Sequence, residues 1–502
     1  MKNEELIRTE EQEKNNQNVP LKKIKTHKSV NRFCFLLLGL VGILIIFTII
    51  NILFPAFGTF IWFNVRNPLY EIGFSIFQDV PKLGSNITFI FLGMTMIFAF
   101  LLFIVKNTRF FNYKNRVRIL NVSSVCVYLC MFLFIAPALL DNAYLNAEKL
   151  NVLYSSEDVI NKKYDSDDLV SLNNFLIDRI VLMADAFERV DGAIVYEDKL
   201  VDLAVEELKN SSNKYEFLKG KYPNNIGDFS ERERKTNYAL TLGYTGNAGV
   251  VVDSYAHDVE ELNTIMHEMC HVKGIIRESE AEYCAFLASI DSNNDKVIYS
   301  AYMSAFARTI SALEDVNLEL SNDVSERFFN LCYEKGYEEI CRFNIKNIDF
   351  YFDDADVFYG KGYKLSTYSS KKTELINFLN KLKKYDLKVR INGKNVKLDK
   401  ISELVDSGSN SILEFSISIT EDNFSDVSVI LNDYKTFFIA GYQEVSDDAE
   451  EDDEDKRTSE EFLEYYLKPF NETDILLGEG YSDEYYYERA TRFYLEYFDN
   501  YL

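Results

Sequence analysis

The chain has 502 residues, of which 47% are hydrophobic and 26% charged, and its formal net charge at pH 7 is -25. So acidic a chain repels the phosphate backbone, which excludes nucleic acid as an expected partner. The length alone would accommodate about three or four domains, but the N-terminal part does not have the composition of a soluble domain.

Three long apolar runs in the first third of the chain predict transmembrane helices. They cover residues 33–54, 86–105 and 119–140, and the first of them contains no charged residue. Each is about as long as the ~20 residues that an α-helix needs to cross a bilayer. The chain is therefore expected to be a multi-pass protein of the cell membrane, with the lipid bilayer as a partner and residues 1–32 as a basic tail.

The distribution of Lys and Arg predicts how these spans are oriented. Five basic residues lie in 22–32 and five more in 106–118, whereas the loop 55–85 contains only Arg66 and Lys82. Because loops rich in Lys and Arg stay in the cytoplasm, the N-terminus is expected inside. Residues 141–502 are then expected outside the membrane.

The segment after the third span alternates between helical and extended patterns. Residues 141–220 and 296–331 have apolar residues at helical spacing, whereas 237–253 contains β-branched residues and glycines that predict strand, turn, strand. We expect residues 248–253 either to form a sheet edge that pairs with an extended substrate or to be an ordinary core strand.

The most informative motif is His267-Glu268-Met269-Cys270-His271, an instance of H-E-x-x-H. Residues four apart share one face of a helix, so both imidazoles can bind one metal ion, and Glu268 can reach a metal-bound water. Asp258 and Gly274 are expected to cap the two ends of this helix. The motif predicts a Zn²⁺ site of the peptidase kind, one ion per chain; the alternative is a buried helix whose two His contact only neighbouring protein groups.

Three acids after Gly274 are candidates for the third metal ligand and its support. They lie in Glu278-Ser279-Glu280-Ala281-Glu282, at the start of a predicted helix. An E-x-x-x-D/N pattern on such a helix favours Glu278 as ligand, with Glu280 as runner-up and Glu282 behind a ligating His. The alternative for these acids is a solvated face at a helix N-terminus.

The last third of the chain is expected to contain a small β-containing insertion. Asn392-Gly393 between two apolar stretches predicts a hairpin, and residues 411–420 alternate as in a strand. We therefore assign 342–445 to an insertion, 446–461 to an acidic disordered loop and 462–502 to a helical segment that returns to the domain of residues 141–341.

These pieces together resemble an uncharacterised bacterial family of membrane-anchored, zincin-like proteins with a motif of the form HELAHxxGxxREDEANF. The resemblance covers about 33–340 and 462–502, and further matching pieces are Asn67-Pro68, Lys221-Tyr222-Pro223, Tyr244-Thr245-Gly246, Tyr299-Ser300 and the closing GEGYSDEYYYERATRFYLEYF. Asn247 stands where the family usually has an acid, and Glu282 where it usually has Asn.

The motif and the resemblance lead to one functional hypothesis with one alternative. We expect an α+β protein in which three transmembrane helices precede a mainly helical, gluzincin-like metallopeptidase domain. His267, His271 and Glu278 would hold Zn²⁺, and Glu268 would be the general base in hydrolysis of peptide or protein substrates of the cell envelope. The candidate oxyanion donors are His257, Tyr244 and Tyr299. The alternative is a non-catalytic, zinc-stabilised envelope binding or scaffold protein.

Overall fold

The fold is that of a computed structural model. It describes residues 39, 42, 45–107, 113–145, 163–190, 193–229, 243–246, 248–252, 258–332, 335, 337, 339, 342–352, 365–368, 372–391, 393–401, 412–419, 421–434 and 490–499. His257 and residues 446–461 lie outside the described residues, so the oxyanion role of His257 and the acidic loop stay predictions.

The N-terminal helices include two that are long and apolar enough to cross a membrane. The helices are α1 (Ile45–Leu53), α2 (Pro55–Ile61), α3 (Asn67–Phe77), α4 (Pro81–Ser85), α5 (Ile87–Asn107) and α6 (Tyr113–Leu145), with a π-helical turn, Trp62–Arg66, between α2 and α3. The apolar windows Ile87–Val105 and Arg118–Asp141 confirm the second and third predicted spans.

The first predicted span takes a different form. Only residues 39, 42 and 45–54 of it are described, and α1 is bent by 116° against the helical segment Pro55–Phe77 that follows. The chain thus has two helices able to cross a membrane, or three if this bent pair counts as one broken span. Residues 55–85, which the sequence suggested were a loop, are almost entirely helical.

The segment after the spans is mostly helical around one hydrophobic core. Its helices are α7 (Ser166–Ala184), α8 (Leu200–Ser211), α9 (Asp258–Val272), α10 (Glu278–Ile290), α11 (Asp295–Val316), α12 (Leu318–Cys332) and α15 (Ala490–Phe498). Asp165 caps α7 in a capping box with Asp168, because each side chain accepts from the other's backbone N–H. Leu172, Leu262, Ala285, Leu313 and Tyr494 place α7, α9, α10, α11 and α15 in the shared core.

Two small sheets accompany these helices. Strands β1 (Arg189–Val190) and β2 (Ala193–Ile194) form a short hairpin, and β3 (Gly227–Asp228), β4 (Gly243–Gly246) and β5 (Gly249–Val252) form a sheet in the order β3-β5-β4. Of the predicted strand, turn, strand over 237–253, the structure describes 243–246 and 248–252, and it confirms the two strands. Strand β5 has a partner on each side, and its Val250, Val251 and Val252 are buried, so of the two alternatives for 248–253 the ordinary core strand is confirmed.

The predicted β-containing part is a five-stranded sheet with two helices and its own core. Strands β6 (Arg342–Phe352), β7 (Leu365–Tyr368), β8 (Lys388–Ile391), β9 (Lys394–Val396) and β10 (Ile412–Ile419) lie in the order β7-β6-β10-β8-β9, with helices α13 (Lys372–Leu382) and α14 (Glu421–Tyr434). Gly393, at φ +76, turns β8 into β9, so the hairpin predicted at Asn392-Gly393 is confirmed. Of the predicted segment 462–502, the structure describes 490–499, and its helix α15 packs on α10 through Phe493 and Tyr283.

Candidate metal centre

The H-E-x-x-H motif lies on α9, which is buried on most of its circumference. Leu262, Ile265, Met266 and Met269 are fully buried, and His267 and Glu268 are also buried. Asp258 is the first residue of the helix, so its prediction as the residue before the helix was off by one position. Motif side chains on so buried a helix cannot be a solvated polar face, which leaves a built polar site in the core.

Gly274 ends α9 in the predicted way and also positions one of the histidines. At φ +83 it adopts a left-handed conformation that suits glycine, and the N–H groups of Gly274 and Ile275 donate back to the carbonyls of His271 and Cys270. This Schellman turn brings the carbonyl of Ile275 to 2.6 Å from Nδ1 of His271. Nδ1 therefore carries the proton of the neutral ring, and Nε2 keeps its lone pair.

Three potential metal-binding atoms converge at one point. Nε2 of His267 lies 3.0 Å from Nε2 of His271, and Oε2 of Glu278 lies 2.9 Å and 3.1 Å from these two nitrogens. Three acceptor atoms facing one another repel unless a cation or a proton lies between them. Two imidazoles and one carboxylate are a donor set that catalytic zinc uses, so the residues present fit this ion.

Glu282 lies behind the cluster, as predicted. Its Oε2 is 3.0 Å from Nδ1 of His267, so the carboxylate can hold the His267 ring with Nε2 directed at the cluster. Its other oxygen, Oε1, accepts from Ser304, lies 3.4 Å from Nδ2 of Asn263 and is 3.8 Å from Nε of Arg308. Carboxylate–histidine pairs of this kind orient metal ligands in many proteins.

The charges in this group are strongly coupled. Burial lowers the pKa of His267, but the hydrogen bonds and charges of Glu278 and Glu282 outweigh it and raise that pKa to about 10. Burial raises the pKa of Glu282, yet the charge of Arg308 and the hydrogen bonds from His267 and Ser304 hold it at about 2. Burial also raises the pKa of Glu278, but the charge of His271 and the hydrogen bonds from both His outweigh it and keep that pKa well below its usual range. The cluster therefore attracts positive charge.

Glu268 is held beside the cluster by strand β4. The hydroxyl of Thr245 lies 2.7 Å from Oε2 and 2.9 Å from the main-chain oxygen of Glu268, so it can donate to either. Burial raises the pKa of Glu268, although His271, His267 and Thr245 act in the opposite direction. A Cβ at Gly243 would lie only 3.0 Å from Oε1 of Glu268, so glycine permits this close approach of strand to helix.

Several predicted site residues lie elsewhere. Glu280, the runner-up ligand, pairs with Arg277 at 2.9 Å and is not in the cluster. The hydroxyl of Tyr299 is buried and donates to Glu339 at 2.8 Å, and its role as an oxyanion donor stays a prediction. Tyr244 stacks its ring on Phe229, and neighbouring strand residues point to opposite faces, so its side chain is directed away from the face that Thr245 presents to Glu268. The oxyanion role of Tyr244 therefore also stays a prediction.

The C-terminal end of α9 is held by residues that no sequence pattern singled out. Nε1 of Trp62 donates to the carbonyl of Lys273 at 2.7 Å, and Arg66 donates to the carbonyls of Val272 and His271 at 2.8 and 3.2 Å. Carbonyls at a helix C-terminus lack the usual i+4 donor, so the two side chains act as an external C-cap beside the turn at Gly274. Both come from the segment that follows the bend after α1, which connects the membrane-associated part of the chain to the motif helix.

The described part of the chain is thus a membrane-associated, mostly helical protein with a His-His-Glu cluster on two core helices. Over residues 70–343, more than half of the chain, it matches the family described as "Protein of unknown function (DUF3810)", and it belongs to that family. The match includes all cluster residues and ends as β6 begins, so most of the five-stranded sheet lies outside it. No curated protein and no solved structure matches the chain.

Proposed function

We propose that this protein is a membrane-anchored zinc metallopeptidase that hydrolyses peptide bonds outside the cytoplasmic membrane. The observation that supports this most is that His267, His271 and Glu278 converge to within about 3 Å of one another while Glu268 lies on the same helix as both His. A purely structural zinc site has no use for a buried acid in this position.

Each residue has a chemical role in this proposal. The two His and Glu278 would hold zinc, which when bound supplies a Lewis acid and a water of lowered pKa. Glu268 accepts the proton from the attacking water and later donates it to the leaving amine. Thr245 keeps the carboxylate of Glu268 in one orientation, and Glu282 does the same for the ring of His267.

The position of β4 favours an extended peptide as the substrate. Among the described strands, β4 pairs only with β5, and its Thr245 contacts Glu268 directly. An extended peptide that lay against β4 would pass directly beside the contact between Thr245 and Glu268. Its scissile bond would then lie beside Glu268.

The location of the activity follows from the basic residues around the spans. With 22–32 and 106–118 on the cytoplasmic side, the metal centre lies on the opposite side, and the substrates are peptides or proteins of the cell envelope. The family match adds no substrate, because its description names none.

The decisive experiment compares wild type, Glu268→Gln and His267→Ala in purified full chain. We expect about one zinc per chain in wild type and in Glu268→Gln, and loss of zinc in His267→Ala, by elemental analysis. Cleavage of fluorogenic peptides, or of envelope proteins compared by proteomics, should be lost in Glu268→Gln. Unchanged turnover in that variant would refute the role of Glu268. Tight zinc with no cleavage by wild type would favour the scaffold alternative.

A further inference from the structure

The helix α3 has two apolar faces, and only one of them is covered by protein. Its inner face continues from the preceding turn, with Trp62, Arg66, Tyr70 and Phe74 buried at four-residue spacing. On another face, Leu69, Ile72 and Ile76 are 52%, 57% and 67% exposed. These three residues, here called the outer stripe, lie three and four positions apart and so form one continuous side of the helix.

The charged groups of this segment are all turned toward protein. Arg66 contacts Asp141 and the end of α9, while Oε1 of Glu71 accepts from the backbone N–H of Lys221 and lies 3.3 Å from Nζ of Lys273. The outer stripe itself contains no ionisable side chain. A helix with its charges on one side and large apolar groups on another suits the boundary between lipid and water.

The contacts with α6 place this helix at the membrane surface. Asp141 is the last residue of the apolar window Arg118–Asp141, where α6 leaves the predicted bilayer core. Nε of Arg66 lies 3.0 Å from Oδ1 of Asp141, and the hydroxyl of Tyr70 lies 3.3 Å from the same carboxylate. The bend of 116° after α1 turns this segment away from the direction of α1. The helix that carries the outer stripe thus contacts the end of a candidate span, which favours lipid rather than a second protein as the partner of the stripe.

We propose that α3 lies in the lipid interface with Leu69, Ile72 and Ile76 among the acyl chains, and that it holds the metal centre at the bilayer surface. The link to the centre is short, because Arg66 also donates to the carbonyl of the cluster residue His271. If the proposed peptidase function holds, on which this step rests, the substrates are peptide segments close to the membrane anchor of another protein.

The position of the helix is tested without reference to activity. The full chain is reconstituted in phosphatidylcholine vesicles with plain or brominated acyl chains, and one tryptophan is added as Ile72→Trp or, for a second reading, as Ile76→Trp. Leu182→Trp is the matched control, since Leu182 is 72% exposed on α7, a helix outside the candidate spans. The emission of the native Trp62 is subtracted from each variant.

We expect bromine to reduce the added emission of Ile72→Trp by at least about twofold and to leave that of Leu182→Trp unchanged. Equal quenching of the two variants would overturn the interfacial position. The emission of Ile72→Trp could instead change with the ratio of protein to lipid and not with bromine. That result would also overturn the interfacial position, and it would indicate that a second copy of the chain covers the outer stripe.

The substrate step is tested with one peptide in two forms, free or attached to a lipid by a short spacer. We expect the tethered form to be cleaved about tenfold faster or more, in the range that effective concentration gives. Ile72→Glu should reduce cleavage of the tethered form only. Equal cleavage of both forms by wild type would overturn the substrate class. Quenching of Ile72→Trp with no cleavage of either form would instead refute the peptidase proposal and support the interfacial position.

Discussion

The hydroxyl of Thr245 lies 2.7 Å from the carboxylate of Glu268, joining strand β4 to the motif helix across 23 residues of sequence. Gly243, on the same face of β4, lets the strand approach to a distance at which any Cβ would press on Glu268. The strand proposed to hold a peptide and the acid proposed to act on it are therefore fixed to each other. Movement of one relative to the other would alter the geometry of attack.

Replacing Thr245 tests this connection. Thr245→Val keeps the shape of the side chain and removes the hydroxyl, so zinc should stay bound while kcat falls. A hydrogen bond to a charged group contributes about 1.5–3 kcal/mol, which corresponds to a loss of about tenfold to a hundredfold in rate. Thr264→Val is the control, because the Thr264 hydroxyl bonds only to the Glu260 carbonyl one turn earlier in α9. Equal rates for the two variants would contradict the positioning role.

Two acids on α10 form a natural pair for testing the third ligand. Glu278→Gln removes a carboxylate oxygen from the cluster and should lower zinc affinity at least about tenfold. Glu280→Gln alters a buried acid two residues away that pairs with Arg277, and zinc affinity should stay near wild type. Competition with a chromogenic chelator measures both affinities. The ligand assignment fails if Glu280→Gln is the weaker binder.

Glu282 should matter for affinity but not for stoichiometry. Glu282→Gln keeps the volume and weakens the electrostatic hold on Nδ1 of His267, so zinc affinity should fall by about 10–100-fold. At saturating zinc the variant should still bind one ion, because none of the three proposed ligands, His267, His271 and Glu278, is changed. A variant that binds no zinc at any concentration would show that Glu282 has a larger role than orienting His267.

The parts of the centre that sequence could predict are those fixed by local spacing. His267 and His271 share a helix face by periodicity alone, and Gly274 ends the helix because its φ of +83 suits glycine. The spacing of Glu278 and Glu282 also favoured Glu278 over Glu280 as the third ligand, but it left Glu280 open because both acids fall in the first turn of α10. The choice between them depends on Arg277, the residue before the helix, which takes Glu280 as its partner.

The residues that sequence missed are distant along the chain from what they contact. Trp62 lies 211 residues from Lys273, and Thr245 lies 23 from Glu268, so no periodicity relates them. The choice between an edge and a core position for residues 248–253 was left open for a similar reason. Whether β5 is central depends on β3, a strand of two residues whose segment has no strand pattern. Tertiary pairing decides which strand is the edge, and local propensity does not.

The orientation of the spans gives a further prediction. A reporter fused after Leu502 should be active or labelled only on the outer side of the membrane, since the proposed topology crosses the bilayer three times before residue 141. A second fusion after residue 110, between α5 and α6, is the matched control and should report from the cytoplasm. A cytoplasmic reporter after Leu502 together with an external one after residue 110 would show that the topology is inverted. The same side for both would mean that one of α5 and α6 does not cross.

Removing the external cap of α9 should destabilise the metal centre itself. Arg66→Gln shortens a side chain that bonds the carbonyls of His271 and Val272 and pairs with Asp141, whose side chain is 32% exposed. Water can still reach Asp141 after its partner is removed, so the penalty is moderate. We expect the free energy of unfolding to fall by about 2 kcal/mol, which lowers Tm by about 4–8 °C. Asn64→Ala, at an exposed position of the same turn, should leave Tm unchanged. Thermal unfolding of both variants in detergent, with and without zinc, measures the effect. Equal Tm values for Arg66→Gln and Asn64→Ala would show that Arg66 does not stabilise the end of α9.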